Sequence, residues 1–157
     1  LTKCDAVKLE GGDSIIKIVE HLIKNKIQIM GHLGILPQSV RGKFKFKGKK
    51  KIERKKIFND AKLLESKGVF SLVLECVETS LAKQITKSLK IPTIGIGSSV
   101  YCDGQVLVTD DLLGLNEAKI KFVKKFGNIK KYIKIAAQKF KSEVVNKKYP
   151  TKKYSYN

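Results

Sequence analysis

The sequence has no tryptophan, one methionine, three prolines and, among 33 basic residues, only two arginines, Arg41 and Arg54. No apolar run approaches the ~20 residues a helix needs to cross a bilayer, which excludes a helical membrane span. The three cysteines, Cys4, Cys76 and Cys102, are far apart and show no C-x-x-C spacing. This argues against a disulfide framework and a zinc site, and suits a reducing cytoplasm. Acidic residues are scarce too: 14 against 33 basic ones leave a formal charge of +19. Such a balance invites a nucleic-acid reading, because clustered cations displace counterions from phosphate backbones. The shortage of arginine, the usual residue for bidentate base and phosphate contacts, weakens it. Most lysines are spread along the chain as a lysine-rich background. Only residues 41–56 form a dense basic block, where Phe44 and Phe46 would be the stacking platforms of a nucleic-acid-binding alternative.

What is present is a globular pattern. The apolar residues, 42% of the chain, fall into runs bounded by Gly, Pro and Asp, unlike a disordered sequence. Residues 5–10 predict a strand stopped by Gly11-Gly12. A helix capped by Asp13 or Ser14 follows, with Ile15, Ile16, Val19, Leu22 and Ile23 on one face and a stop at Asn25. Residues 27–34 predict the next strand. After a long loop, Ile57, Phe58, Ala61, Leu63 and Leu64 mark a helix ending at Gly68. Residues 69–77 form an apolar strand, as expected where both faces are covered. Thr79 or Ser80 caps a third helix, and strands follow at 92–97 and 105–109. Residues 117–126 and 129–145 read as helices, and a polar tail begins at Asn146. No secretory leader is expected, since Leu1-Thr2-Lys3-Cys4-Asp5 opens directly into strand-like sequence.

Strand and helix alternate with short connections, which predicts βαβ units and a parallel sheet. Two architectures satisfy this: an open doubly wound sheet, or the later five-eighths of a (βα)8 barrel. A whole barrel takes ~250 residues, more than the 157 given. With no initiator Met, the chain is expected to be the later part of something longer.

Alternation in β structure puts Lys8 and Glu10 on one face of the first strand, opposite Val7 and Leu9. His32 and Glu75 come at the ends of the next two strands. Parallel α/β enzymes build their sites at such C-terminal strand ends. Four ionisable groups converging there favour a site over a structural ion pair. Gly95-Ile-Gly97-Ser-Ser99 reads as a backbone turn before an anion cradle, Asp110-Asp111 as a cap or turn before a metal pair, and His21 as a surface residue.

Val7-Lys-Leu-Glu-Gly-Gly12, Gly31-His-Leu-Gly-Ile-Leu-Pro-Gln-Ser-Val40, Leu72-Val-Leu-Glu-Cys-Val77, Ile91-Pro-Thr-Ile-Gly-Ile-Gly97 and Asp103-Gly-Gln-Val-Leu-Val108 closely resemble, in order, the ketopantoate hydroxymethyltransferase family. The resemblance implies a (βα)8 TIM-barrel enzyme of which about five βα units, from the fourth strand onward, are present. Residues 1–145 would be the C-terminal part of the barrel domain and 146–157 a tail. It implies transfer of a hydroxymethyl group from 5,10-methylenetetrahydrofolate to 3-methyl-2-oxobutanoate, a 2-oxo acid, giving 2-dehydropantoate through a magnesium-stabilised enolate. Glu10 falls on the family's Mg2+ ligand, Lys8 on its substrate-binding Lys, Glu75 on its proton acceptor and His32 on its active-site His. A cytoplasmic homo-oligomer, a decamer in the family, is implied, with no membrane partner. The family's two Asp ligands from earlier strands have no counterpart in this sequence. An inactive, poorly soluble remnant is therefore the alternative when the chain stands alone.

The residue types suit these roles. A carboxylate is a hard oxygen ligand for Mg2+, and a desolvated Glu75 gains the raised pKa of a general base. Lys8 supplies a fixed positive charge. A Schiff-base role for Lys8 is the chemical rival; Glu10, two residues away on the same face, opposes it by keeping the amine charged.

Overall fold

The computed structural model describes residues 3–38 and 46–156. Residues 39–45 of the long loop, with Arg41 and Phe44 of the basic block, lie outside them. The chain divides into two compact units, residues 1–106 and 107–157.

The first unit is built from β1 (Ala6–Glu10), α1 (Ile16–Lys24), β2 (Gln28–Gly34), α2 (Lys51–Ser66), β3 (Ser71–Glu75), α3 (Thr79–Ser88), β4 (Thr93–Ile96) and β5 (Gly104–Gln105). All neighbouring strands pair parallel, in the order β1-β2-β3-β4-β5. A doubly wound sheet reverses its strand order at a switch point; this one never does. Consecutive parallel strands joined by helices, as the first four are here, are the winding of a (βα) barrel, and the fifth strand continues the same order. Because each crossover advances in one direction, the right-handed rule places the helices on one face. Val7, Leu9, Ile29, Leu33, Leu72 and Leu74 point to that face and pack against Val19, Ile57, Ala61, Leu64, Leu81 and Ile85 of the helices.

The register shows what the other face carries. Lys8 lies beside Met30 and Met30 beside Ser71, Glu10 beside His32, and Gly34 beside Glu75. Strand neighbours in register share a face, so Lys8, Glu10, His32 and Glu75 all project from the side opposite α1, α2 and α3. Gly34 has a φ of +105°, and a Cβ there would overlap the carbonyl oxygen of Glu75. Only glycine allows β2 to end this close to β3.

Two expectations about helix starts and one about a strand are corrected. Neither Asp13 nor Ser14 caps α1: a 3-10 turn, Asp13–Ile15, leads into it without a side-chain cap. The Asp13 carboxylate is instead 2.7 Å from Lys56 Nζ. Neither Thr79 nor Ser80 caps α3. Glu78 does, its carboxylate accepting from the N–H groups of Ser80 and Leu81 at 3.0 Å each. The fifth strand is two residues long, not 105–109, because the chain turns into α4 (Thr109–Leu112).

The second unit holds α4 and α5 (Ile129–Val145), which matches the expected 129–145, with Asn128 accepting from Lys131 N–H as its cap. Residues 117–126 are not helical. Asn116 Oδ1 takes the Ala118 N–H, and the Leu112 carbonyl takes those of Phe126 and Gly127. These bonds fold the segment back on the end of α4, against its local propensity. Beyond α5, Tyr149 packs edge-on to Phe140 at 5.6 Å and lies 6.1 Å from Tyr154. Among the described residues no helix is long and apolar enough to cross a membrane.

Candidate active site

The four ionisable residues come together at the C-terminal ends of β1, β2 and β3. His32 is their hub, with a side chain 1% exposed. On one side of its ring, Nδ1 is 3.2 Å from Lys8 Nζ and 3.6 Å from Glu10 Oε1. On the other, Nε2 is 3.2 Å from Glu75 Oε2, close but without hydrogen-bond alignment, so that Nε2 is a buried nitrogen with no hydrogen-bond partner. Lys8 Nζ is 3.8 Å from Glu10 Oε1, and Lys8 is the most solvent-exposed of the four. The second Glu10 oxygen accepts from the Gln38 N–H at 3.3 Å.

Burial separates the protonation behaviour of these groups. It pushes the His32 pKa down to about 4, and the nearby Lys8 charge adds to this; Glu10 and the Ile35 backbone pull the other way. Burial also raises the Glu75 carboxyl, Lys8 opposing and Glu10 reinforcing the shift. The site thus holds a neutral imidazole beside a carboxylate of raised proton affinity, the combination that suits proton abstraction. Cys76, next in the chain, is a buried free thiol pushed up to about 11 by burial and by Glu75. Its φ of +50° is a left-handed conformation unusual for a side-chain-bearing residue.

Among the described residues no group of three or more His, Cys, Asp or Glu is placed to hold a metal ion. Two hard oxygen donors stand at the strand ends, the carboxylates of Glu10 and Glu75, and one Glu10 oxygen accepts from the Gln38 amide. Magnesium keeps several waters and takes one or two carboxylates plus substrate oxygens. Glu10 fits as one such ligand.

The remaining candidates are accounted for structurally. In Gly95–Ser99, Gly95 and Ile96 end β4 and the chain bends beyond them, where the Ser98 hydroxyl donates to the Val77 carbonyl and the Ser99 carbonyl accepts from Gln105 Nε2. Asp111 is buried and accepts from the Asn116 amide, and His21 is exposed on α1. Within the described part of the basic block, Lys47 pairs with Glu53, Arg54 with Glu78, and Lys56 with both Asp13 and Asp60. A cavity of about 240 Å3 opens beside Gly11, Gly12, Gly34, Lys47, Lys56 and Asp60. It lies against the helix layer, whereas the four site residues project from the opposite face.

The model of the ketopantoate hydroxymethyltransferase family matches residues 1–152. The chain belongs to this family. It is 66% identical to the 3-methyl-2-oxobutanoate hydroxymethyltransferase of Pelagibacter ubique (strain HTCC1062) over 155 residues, 99% of this chain and 60% of that protein. The enzyme of the same name from Clostridium botulinum (strain 657 / Type Ba4) is 47% identical, over 96% of this chain and 56% of its own length. That from Caldicellulosiruptor saccharolyticus is 48% identical, with 96% and 58% covered. The chain therefore spans about three-fifths of the length of these relatives. Family membership makes the chain kin to hydroxymethyltransferases, and the resemblance read from the five motifs holds across nearly its whole length.

Sequence reasoning missed Asp60 and Glu78. Asp60 is buried on α2, 3.3 Å from Lys56, and a Cβ on Gly12 would overlap its carboxylate. The Lys56–Asp60 spacing of four was the available signal. For Glu78, the signal was an acid just before the helix-starting Thr79-Ser80.

Proposed function

We propose that the protein, in the complete polypeptide its gene encodes, transfers a hydroxymethyl group from 5,10-methylenetetrahydrofolate to 3-methyl-2-oxobutanoate, forming 2-dehydropantoate for pantothenate synthesis. The observation that carries this reading is the placement of Glu75. It is a carboxylate raised by burial, on the face opposite α1, α2 and α3, beside a buried imidazole and separated from Glu10 by β2.

In this reading Glu75 takes the proton from C3 of the oxo acid, next to the ketone. The resulting enolate forms its new carbon–carbon bond to the methylene carbon of the folate. Water supplies the hydroxyl oxygen and tetrahydrofolate leaves. Lys8, a fixed positive charge at the mouth, pairs with the substrate carboxylate or the developing oxyanion. Glu10 would hold Mg2+, which when bound supplies Lewis-acid polarisation of the substrate's oxygens. His32, neutral and buried, shapes the wall between the two carboxylates. Assembly into a homo-oligomer is part of the same proposal. It is supported by the exposed apolar residues of α5, among them Ile133, Ile135 and Phe140.

The test supplies the complete polypeptide with both substrates and Mg2+ and follows 2-dehydropantoate by mass spectrometry. Turnover is expected, lost on chelation and restored by added Mg2+, with Glu75→Gln lowering kcat by at least ~10²-fold. Undiminished turnover by E75Q would remove Glu75 as the base.

A further inference from the structure

An ammonium group has hydrogen-bond donors and no acceptor. Lys8 Nζ lies 3.2 Å from His32 Nδ1, so a hydrogen bond there requires Nδ1 to keep its lone pair. The ring proton then sits on Nε2. That nitrogen has no hydrogen-bond partner, and Glu75 Oε2 is 3.2 Å from it. The opposite tautomer would donate from Nδ1 to Glu10 Oε1 at 3.6 Å. It would also press an N–H against the ammonium and turn the Nε2 lone pair toward a carboxylate oxygen, making both 3.2 Å contacts repulsive. One longer attraction does not offset two shorter repulsions.

We propose that Lys8 fixes His32 as its Nε2–H tautomer, so that the imidazole donates a hydrogen bond to Glu75 and acts as a positioning residue for that carboxylate, not as a base. Lys8 thereby has a second task besides facing substrate: it sets, through the ring, which way the hub of the site donates. Contacts of this kind are often long in a free enzyme and tighten when substrate binds, in keeping with a close but misaligned Nε2–Glu75 pair. Tied at one oxygen, Glu75 presents the other to the proton it removes. This last consequence rests on the proposed transferase reading; the tautomer itself does not.

The chain has two histidines, so labelling their rings with 15N gives two imidazole spin systems, and His21→Gln identifies the one from His32. Two-bond 1H–15N correlations at neutral pH are expected to show a protonated Nε2 and a bare Nδ1. A wild-type ring protonated at Nδ1, or at both nitrogens, overturns the proposal. Lys8→Met is expected to move the proton to Nδ1, facing Glu10, while Lys8→Arg, which also offers donors only, retains it on Nε2. An unchanged tautomer in K8M overturns the part assigned to Lys8. Should K8M fail to fold, the wild-type spectrum still decides. Activity is read separately: an Nε2–H ring in a polypeptide without transferase turnover would refute the reaction and leave the tautomer standing.

Discussion

Four side chains within one or two contacts of each other differ sharply in environment. His32 is the most buried and is held neutral; Glu75 is half-buried with a raised pKa; Lys8 reaches solvent. If Glu75 is the base, proton exchange at C3 of 3-methyl-2-oxobutanoate should not need the folate. The complete polypeptide is expected to exchange that proton for deuterium with Mg2+ and oxo acid alone, by NMR, and E75Q to lose the exchange. Exchange at wild-type rates in E75Q would move the base elsewhere. Borohydride added with the oxo acid is expected to leave activity intact, because Glu10 3.8 Å from Lys8 Nζ favours a charged, non-nucleophilic amine. At this scale much was legible: strand alternation alone placed Lys8 and Glu10 on the face away from Val7 and Leu9. Asp60 was legible only through its spacing of four from Lys56; its closeness to Gly12 was not, because Gly12 is distant in sequence and a glycine announces no contact.

Elements show where local rules prevail and where they fail. α5 was legible to the residue, since apolar spacing, an Asn cap and a following break agree. Residues 117–126 have helical composition, yet Leu112 and Asn116 capture their ends, and those bonds cannot be seen in a local window. α3 starts on Glu78, a carboxylate held down at about 2 chiefly by the Ser80 hydroxyl and the Ser80 N–H, with Leu81 and Arg54 adding to the effect. Its folded pKa lies below the ordinary 4.5, so its stabilisation is complete above that value and is lost as pH falls toward 2. Glu78→Ala is expected to cost about 1 kcal/mol near neutrality and to flatten the acid limb of the unfolding curve. An acid limb identical to wild type would contradict this. Gly34→Ala forces a left-handed alanine and a clash with the Glu75 carbonyl; a loss of at least ~1–2 kcal/mol is expected, read as a Tm lower by roughly 3–8 °C.

For the molecule as a whole, the charge of +19 is partly absorbed into the scaffold. Lys56 bridges Asp13, just past β1, to Asp60 on α2, and so ties the loop after Glu10 to the helix layer. Lys56→Met is expected to cost about 1–3 kcal/mol, because buried Asp60 loses its counter-charge, whereas Lys55→Met is expected to change stability by less than ~0.5 kcal/mol. Equal denaturant midpoints for the two variants would show the bridge to be idle. The barrel winding was legible from the strand–helix rhythm together with the motifs; strand order, which separates it from a doubly wound sheet, required the pairing itself. That unbroken order, with helices on one side, writes two messages into the same strands. Odd positions of β1 and β2 carry the packing against the helices, and even positions hold Lys8, Glu10 and His32. Substitutions at residues 8, 10, 30 and 32 therefore leave in place the side chains of β1 and β2 that pack against the helices.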